Sequence, residues 1–179
     1  MGPTISTPTV VVVMGVAGSG KSTVGRLLAQ RLTVPFLEGD ELHPAANRAK
    51  MAAGRPLDDD DRLPWLRSLA GWTAEATESG RGGVMSCSAL KRAYRDLLRG
   101  ANAGVWFLYL AIDRTTADRR VSQRTGHFMP ARLVDSQYAA LEPLRPDEPG
   151  LTVDAAADPL TIVDEAASAM PPNRIRPRL

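Results

Sequence analysis

The chain has 179 residues, 44% of them hydrophobic and 23% charged, which is enough for one well-buried core and short for two. Its 22 basic and 20 acidic residues leave a formal net charge of +2, with no long basic block to mark a nucleic-acid tail and only 5% aromatic residues for base stacking. A single cysteine, Cys87, excludes an internal disulfide, and the longest apolar runs, residues 9–14 and 105–112, are far too short to span a bilayer; a reducing, cytoplasmic setting is expected, with neither membrane nor nucleic acid as partner.

Residues 1–8 contain Pro3 and Pro8 and lack the basic and apolar regions of a signal peptide; Met1, Gly2 and Ser6 fit only a loose myristoylation pattern. They read as a flexible lead-in, and 171–179 as a flexible tail, around a single domain over 9–170. Within it, short apolar runs (TVVVVM, VPFL, GGVMSC, VWFLYLA, LTVD) alternate with longer stretches of helical spacing. That alternation predicts an α/β fold, with a parallel sheet buried on both faces by helices.

The first run ends in a glycine-rich turn. Gly15, Val16, Ala17, Gly18, Ser19, Gly20, Lys21 and Ser22 fit G-x-x-x-x-G-K-[ST], with Thr23 following, between a predicted buried strand and an amphipathic stretch from Ser22 to Leu32. Glycines let the backbone wrap close to phosphate oxygens, and the amides sit at the positive end of the next helix. Lys21 would reach the β and γ phosphates and Ser22 would ligate magnesium, so the motif predicts a nucleoside triphosphate, ATP, with Mg2+. A guanine-specific switch would carry Asn-Lys-x-Asp, but none of Asn47, Asn102 and Asn173 is followed by lysine.

The run ending VMSCSALK carries no terminal acid, so a metal-linked carboxylate must come from elsewhere. FLEGDELHP supplies Glu38 and Asp40, two apart, which share one side while the strand stays extended. One can hold magnesium through water and the other can accept a proton from an incoming hydroxyl; the competing reading is a solvated acidic turn.

Further along, Leu63, Leu66, Ala70, Thr73 and Ala76 recur at helical spacing between Arg62 and Ser79, with Asp61 or a neighbour as the cap and Pro64 tolerated in the first turn. Asp58 to Arg62, DDDDR, reads mainly as capping and ion pairing, with a direct substrate role for Asp61 or Arg62 as the alternative. Cys87 reads as a small buried hydrophobe, whereas Ser88 beside it is a candidate for substrate contact. Lys91 and Arg95 are four apart, and on a helix they would share a face. Later, Arg120 and Arg124 are also four apart, before Gly126 and HFMP; a basic helix followed by a break suits a cover that keeps water from the phosphoryl group.

The segments MGVAGSGKST, FLEGDELHPAANRAKMAAGRPLDDDDRLPWL, CSALKRAYRDLLR and QRTGHFMPARLVDSQYAALEP together resemble the gluconokinase family of P-loop small-molecule kinases, in order over about residues 10–160. The resemblance implies ATP-dependent phosphorylation of D-gluconate to 6-phospho-D-gluconate, a five-stranded fold similar to shikimate and nucleoside monophosphate kinases, and a homodimer. It implies a lid over about 120–132, with Arg120 near the adenine or phosphates, Arg124 on the transferring phosphate and His127 either touching ligand or packing the lid. Gluconate offers a carboxylate, a row of hydroxyls and a primary alcohol. Asp40 is the expected acceptor or orienter of the alcohol proton, and His43, Lys50, Arg62, Ser88, Lys91 and Arg95 are the substrate-binding candidates, with Arg48 less secure. Glu38 stands where related kinases often place aspartate, and LRPDEPGLTVDAAADPL resembles the family's last strand only loosely. The rival readings are a kinase for another small acid or polyol, such as shikimate, and a catalytically silent nucleotide-binding regulator.

Overall fold

Four valines and a methionine in a row cannot alternate between core and solvent, so Val10–Met14 (β1) is stable only where both faces are covered, and all five are buried. In the computed structural model of the chain, which describes residues 9–100, 104–124 and 131–171, β1 is the middle strand of a five-stranded sheet. Its partners are β2 (Phe36–Glu38), β3 (Gly83–Ser86), β4 (Val105–Ala111) and β5 (Gly150–Asp154), in the order β2-β3-β1-β4-β5. Every pairing is parallel. The α/β fold read from the sequence, a parallel five-stranded sheet flanked by helices, is the one observed.

Successive side chains of a strand point to opposite faces, and β1 divides accordingly. Val10, Val12 and Met14 pack with Trp65, Leu66 and Leu69 of α3 (Asp59–Glu78) and Tyr94 and Leu98 of α4 (Arg92–Arg99). Val11 and Val13 pack with Val24 and Leu28 of α1 (Lys21–Leu32) and Ile162, Val163 and Ala166 of α7 (Pro159–Ala169). Between these lie α2 (Ala45–Ala52), α5 (Arg114–Ser122) and α6 (Ala131–Ala140). The connection from β1 runs to one side and the strand after β3 lies on the other, so the order reverses beside β1 and opens a crevice beyond the strands' carboxyl ends.

Helix α3 differs from its sequence reading in two ways. It starts at Asp59, so Pro64 is its sixth residue, in the second turn rather than the first. Pro64 is exposed, and the Asp60 carbonyl deprived of its donor can meet water instead. The buried face is Trp65, Leu66, Leu69, Thr73, Ala76 and Thr77, while Leu63 and Ala70 lie at its margin. Asp58 is the cap: its Oδ1 accepts from Asp61 N at 2.8 Å, and Asp61 Oδ2 accepts in return from Asp58 N at 3.0 Å. Residues 1–8, read as a flexible lead-in, 172–179 of the tail read over 171–179, and 125–130 of the expected lid lie outside the described residues.

Candidate active site

The turn after β1 takes its shape from glycine. Gly18 and Gly20 have φ of 82° and 95°, which side chains disfavour, and a Cβ on Gly18 would stand 2.8 Å from the Ala117 carbonyl oxygen. Gly20 caps α1 with no side-chain hydrogen bond, leaving the first-turn amides of that helix for an anion. Lys21 folds back so that its Nζ donates to the Val16 carbonyl at 2.9 Å. Burial pushes its pKa down and Arg124 adds to the effect, with Asp40 opposing. Arg120 donates to Gly18 O at 3.3 Å and Ala155 O at 3.0 Å, tying the loop to the segment after β5. Gly15 N donates to Ser88 O at 3.3 Å, and Ala17 N donates to Gln137 Oε1 at 2.7 Å.

Strand β2 ends at Glu38 and the chain enters a 3-10 turn, Gly39–Leu42. Asp40 therefore does not continue the strand, and the alternation expected to align it with Glu38 fails; the turn brings both to one cleft instead. That cleft, of about 140 Å³, is lined by Ala17, Lys21, Ser22, Glu38, Asp40, His43, Arg62, Trp65, Ser88, Arg124 and Gln137 among others. Glu38 Oε1 accepts from Ser86 Oγ at 2.6 Å, and its Oε2 lies 3.6 Å from Arg26 Nη2. Trp65 Nε1 donates to Gly39 O at 2.8 Å and stacks on His43 with ring centres 4.1 Å apart. Asn47 Nδ2 lies 3.2 Å from His43 Nδ1. An amide NH2 only donates, so Nδ1 accepts and the proton sits on Nε2, 4.0 Å from Asp40 Oδ1. Burial pushes the His43 pKa down, toward this neutral form.

On the other wall the cations are already engaged. Lys50 Nζ lies 2.5 Å from Asp61 Oδ2 and 3.8 Å from Asp58 Oδ2, so it ties α2 to the start of α3. Its hydrogen bond is the main cause holding the Asp61 carboxyl below its usual pKa. Lys91 donates to Asp59 at 3.0 Å, Tyr94 donates to the same carboxylate, and Arg62 Nη1 donates to Tyr94 Oη at 3.0 Å. The Tyr94 hydrogen bond, followed by that of Lys91, holds the Asp59 pKa down. Arg62 and Lys91 border a second, open cavity of about 460 Å³; Leu57, Arg62 and Ser136 line both spaces, so the two adjoin.

Arg95 is a correction. It was expected to share a face with Lys91, but Lys91 is the N-cap of α4 with extended backbone, so the helical spacing rule does not reach it. Arg95 is fully buried, its Nε 2.7 Å from Glu148 Oε1 and its Nη2 3.0 Å from Oε2, with Nη1 donating to Ala89 O and Glu142 O. It has no surface left for substrate. Burial works to raise the Glu148 pKa, but the Arg95 and Arg145 hydrogen bonds outweigh it and the net shift is downward. The Cys87 thiol is buried and its pKa is pushed up to about 12, so it is not a nucleophile. His127 lies outside the described residues. Trp65, Tyr94 and Gln137 lie within the segments that carry the resemblance but had no role of their own assigned from the sequence, and Glu148 lies outside those segments. Among the described residues no group of three or more His, Cys, Asp or Glu is placed to hold a metal ion.

Residues 10–144 match the family model described as an AAA domain. The gluconokinase of Gluconobacter oxydans (strain 621H) is 46% identical over 158 residues, covering 88% of this chain and 89% of that protein. The thermosensitive gluconokinase of Escherichia coli (strain K12) is 41% identical over 160 residues, covering 89% and 86%. Among solved structures, a gluconokinase from Sinorhizobium meliloti 1021 superposes with a TM-score of 0.81 at 45% identity, over 90% of this chain and 91% of that one. Shikimate kinase from Aquifex aeolicus vf5, 17% identical with a TM-score of 0.60 over 89% and 94%, shares the fold.

Proposed function

The chain belongs to the gluconokinase family, and on that premise we propose how its own residues carry out the ATP-dependent phosphorylation of D-gluconate to 6-phospho-D-gluconate. The observation that carries the reading is that Lys21, Asp40 and Arg124, from three separate parts of the chain, line one cleft at the reversal of strand order. The loop amides not held within the protein, as those of Gly15 and Ala17 are by Ser88 O and Gln137 Oε1, together with those at the start of α1, take the β and γ phosphates of ATP within the loop of residues 15–22, with Thr23 in the same turn. Lys21 leaves the Val16 carbonyl for phosphate oxygens, whose charge offsets the burial that depresses its pKa.

Asp40 orients the primary alcohol and receives its proton. Charge in phosphoryl transfer spreads over the equatorial oxygens, so positioning and electrostatics dominate over strong base catalysis, and Arg124 is placed to meet that charge. Arg120 holds the phosphate loop from the nucleotide side. Arg62, Lys91, His43 and Ser88 face the acceptor, while Lys50 shapes its wall through Asp61. His127 is proposed as part of the lid, over about 120–132 of a kinase domain spanning 9–170.

The donor chemistry fits magnesium: Ser22 and Glu38 bring a hydroxyl and a carboxylate to the phosphate loop, and Mg2+ binds through few protein ligands, water and phosphate. Bound there, it neutralises phosphate charge. No helix among the described residues is long and apolar enough to cross a membrane; a cytoplasmic homodimer belongs to the same proposal, its assembly state read by light scattering.

The test is ADP release with MgATP, comparing gluconate with shikimate, glycerate, a nucleoside monophosphate and no acceptor. Turnover on gluconate alone is expected, and Asp40→Asn is expected to lower kcat by about 100-fold while ATP affinity stays within about twofold. ATP binding with no acceptor-dependent turnover would replace this reading with that of a nucleotide sensor.

A further inference from the structure

The backbone amide of Ala17, inside the phosphate-binding loop, already has a partner in Gln137 Oε1, 2.7 Å away and 120 residues later in the chain. Gln137 sits on α6 and lines the same cleft as Lys21, Asp40 and Arg124. A carboxamide has an oxygen that accepts and an NH2 that donates twice; a backbone N–H can be met only by the oxygen, so this contact fixes which way the amide is turned. The NH2 is what remains to face a ligand: the Gln137 carbonyl accepts from Leu141 N, and among the described residues its side chain makes no hydrogen bond besides that to Ala17. Ordering a long, half-buried glutamine costs side-chain entropy, which a role confined to the surface would not offset.

We propose that Gln137 is a catalytic residue, anchored by Oε1 on the Ala17 amide so that Nε2 donates to an oxygen of the phosphoryl group in transit. The assignment rests on the kinase reading above. A neutral donor fixed before substrate arrives is worth most where charge develops, and the anchor supplies that fixation. The chemistry also distinguishes glutamine from its nearest isostere. Glutamate at this position can accept from Ala17 equally well, but it turns a second anionic oxygen, with no hydrogen, toward the phosphoryl group.

The experiment compares full-length wild type with Gln137→Glu and Gln137→Ala in steady-state turnover of MgATP and gluconate, alongside ADP affinity by calorimetry and thermal melting. At pH 8 Gln137→Glu is expected to lower kcat about 100-fold and Gln137→Ala about 10-fold, with ADP affinity and the KM for gluconate within about threefold of wild type. A protonated carboxyl regains a donor, so the ratio of Gln137→Glu to wild-type kcat should rise about 10-fold between pH 8 and pH 5.5, a carboxyl facing phosphate titrating above the usual range. Four outcomes overturn the proposal: kcat for Gln137→Glu within threefold of wild type, a ratio that is flat with pH, losses that track ADP affinity or melting temperature, or Gln137→Ala faster than wild type, which would make the side chain a plug on the anion site. Wild type with no gluconate-dependent turnover would sink the kinase reading itself, and this assignment with it.

Discussion

The two ends of the cleft are made of different material. At the nucleotide end the working groups are backbone amides held by glycines with left-handed φ, and the side chains nearby, Lys21 and Arg120, rest on loop carbonyls at Val16 and Gly18. At the proposed acceptor end the backbone contributes little and the surface is a mesh of side chains: Lys50 on Asp61, Lys91 and Tyr94 on Asp59, Arg62 on Tyr94. Phosphate is the same in every triphosphate, so a fixed cradle suffices there. An acceptor must be told from its relatives, and a network of paired charges can exchange an internal partner for a carboxylate or hydroxyl at small net cost.

Three substitutions test how far this division holds. The largest effect is expected from Lys21→Ala, which removes the charged side chain that the phosphate loop itself supplies; kcat/KM for ATP should fall by about 1000-fold with little change in melting temperature, measured by coupled assay and calorimetry. A loss below about tenfold would mean the backbone alone does the work.

Next is Glu148→Gln, which leaves the Arg95 charge buried beneath the acceptor wall and should cost about 3 kcal/mol in urea denaturation at pH 7. Its acid limb sharpens the test. The folded-state pKa of Glu148 is depressed below its ordinary 4.5, so its contribution is fully present above about pH 4.5 and is lost as pH falls through the lower folded value. Wild type should therefore lose stability more steeply than the variant between pH 5 and 3; parallel curves would show that Arg95 is held by its carbonyl partners instead.

The smallest effect belongs to Asp58→Ala. Loss of the capping box should cost about 1 kcal/mol while loosening Asp61 and Lys50, and it should raise the KM for gluconate without touching that for ATP. A change in both constants would show that the two ends are coupled through α3.

The same division governs what the sequence could reveal. The phosphate loop was legible because its function is local: eight consecutive residues, with a strand before and a helix after, carry the whole device. The sheet was legible because parallel strands covered on both faces must be continuously apolar. Glu38 and Asp40 were found as a pair, but the reason given for their alignment was wrong, since a 3-10 turn begins between them. Arg95 was misassigned because a four-residue interval says nothing once the first residue is an N-cap, and its true partner is 53 positions away. Gln137 and Tyr94 lie inside the resembling segments, yet no role could be read for either, because a glutamine or tyrosine on a helix declares its partner only once folding decides what it faces.

Gly39 separates the two carboxylates, and a Cβ there would run into the Ser86 carbonyl oxygen of β3. The strand next door thus acts as a template that presses the chain between Glu38 and Asp40 into a single path. Spacing between the two acidic groups is inherited from the sheet and is closed to adjustment at its own midpoint. Any change of acceptor must come from the opposite wall, where side chains can be exchanged while the distance between Glu38 and Asp40 stays as it is.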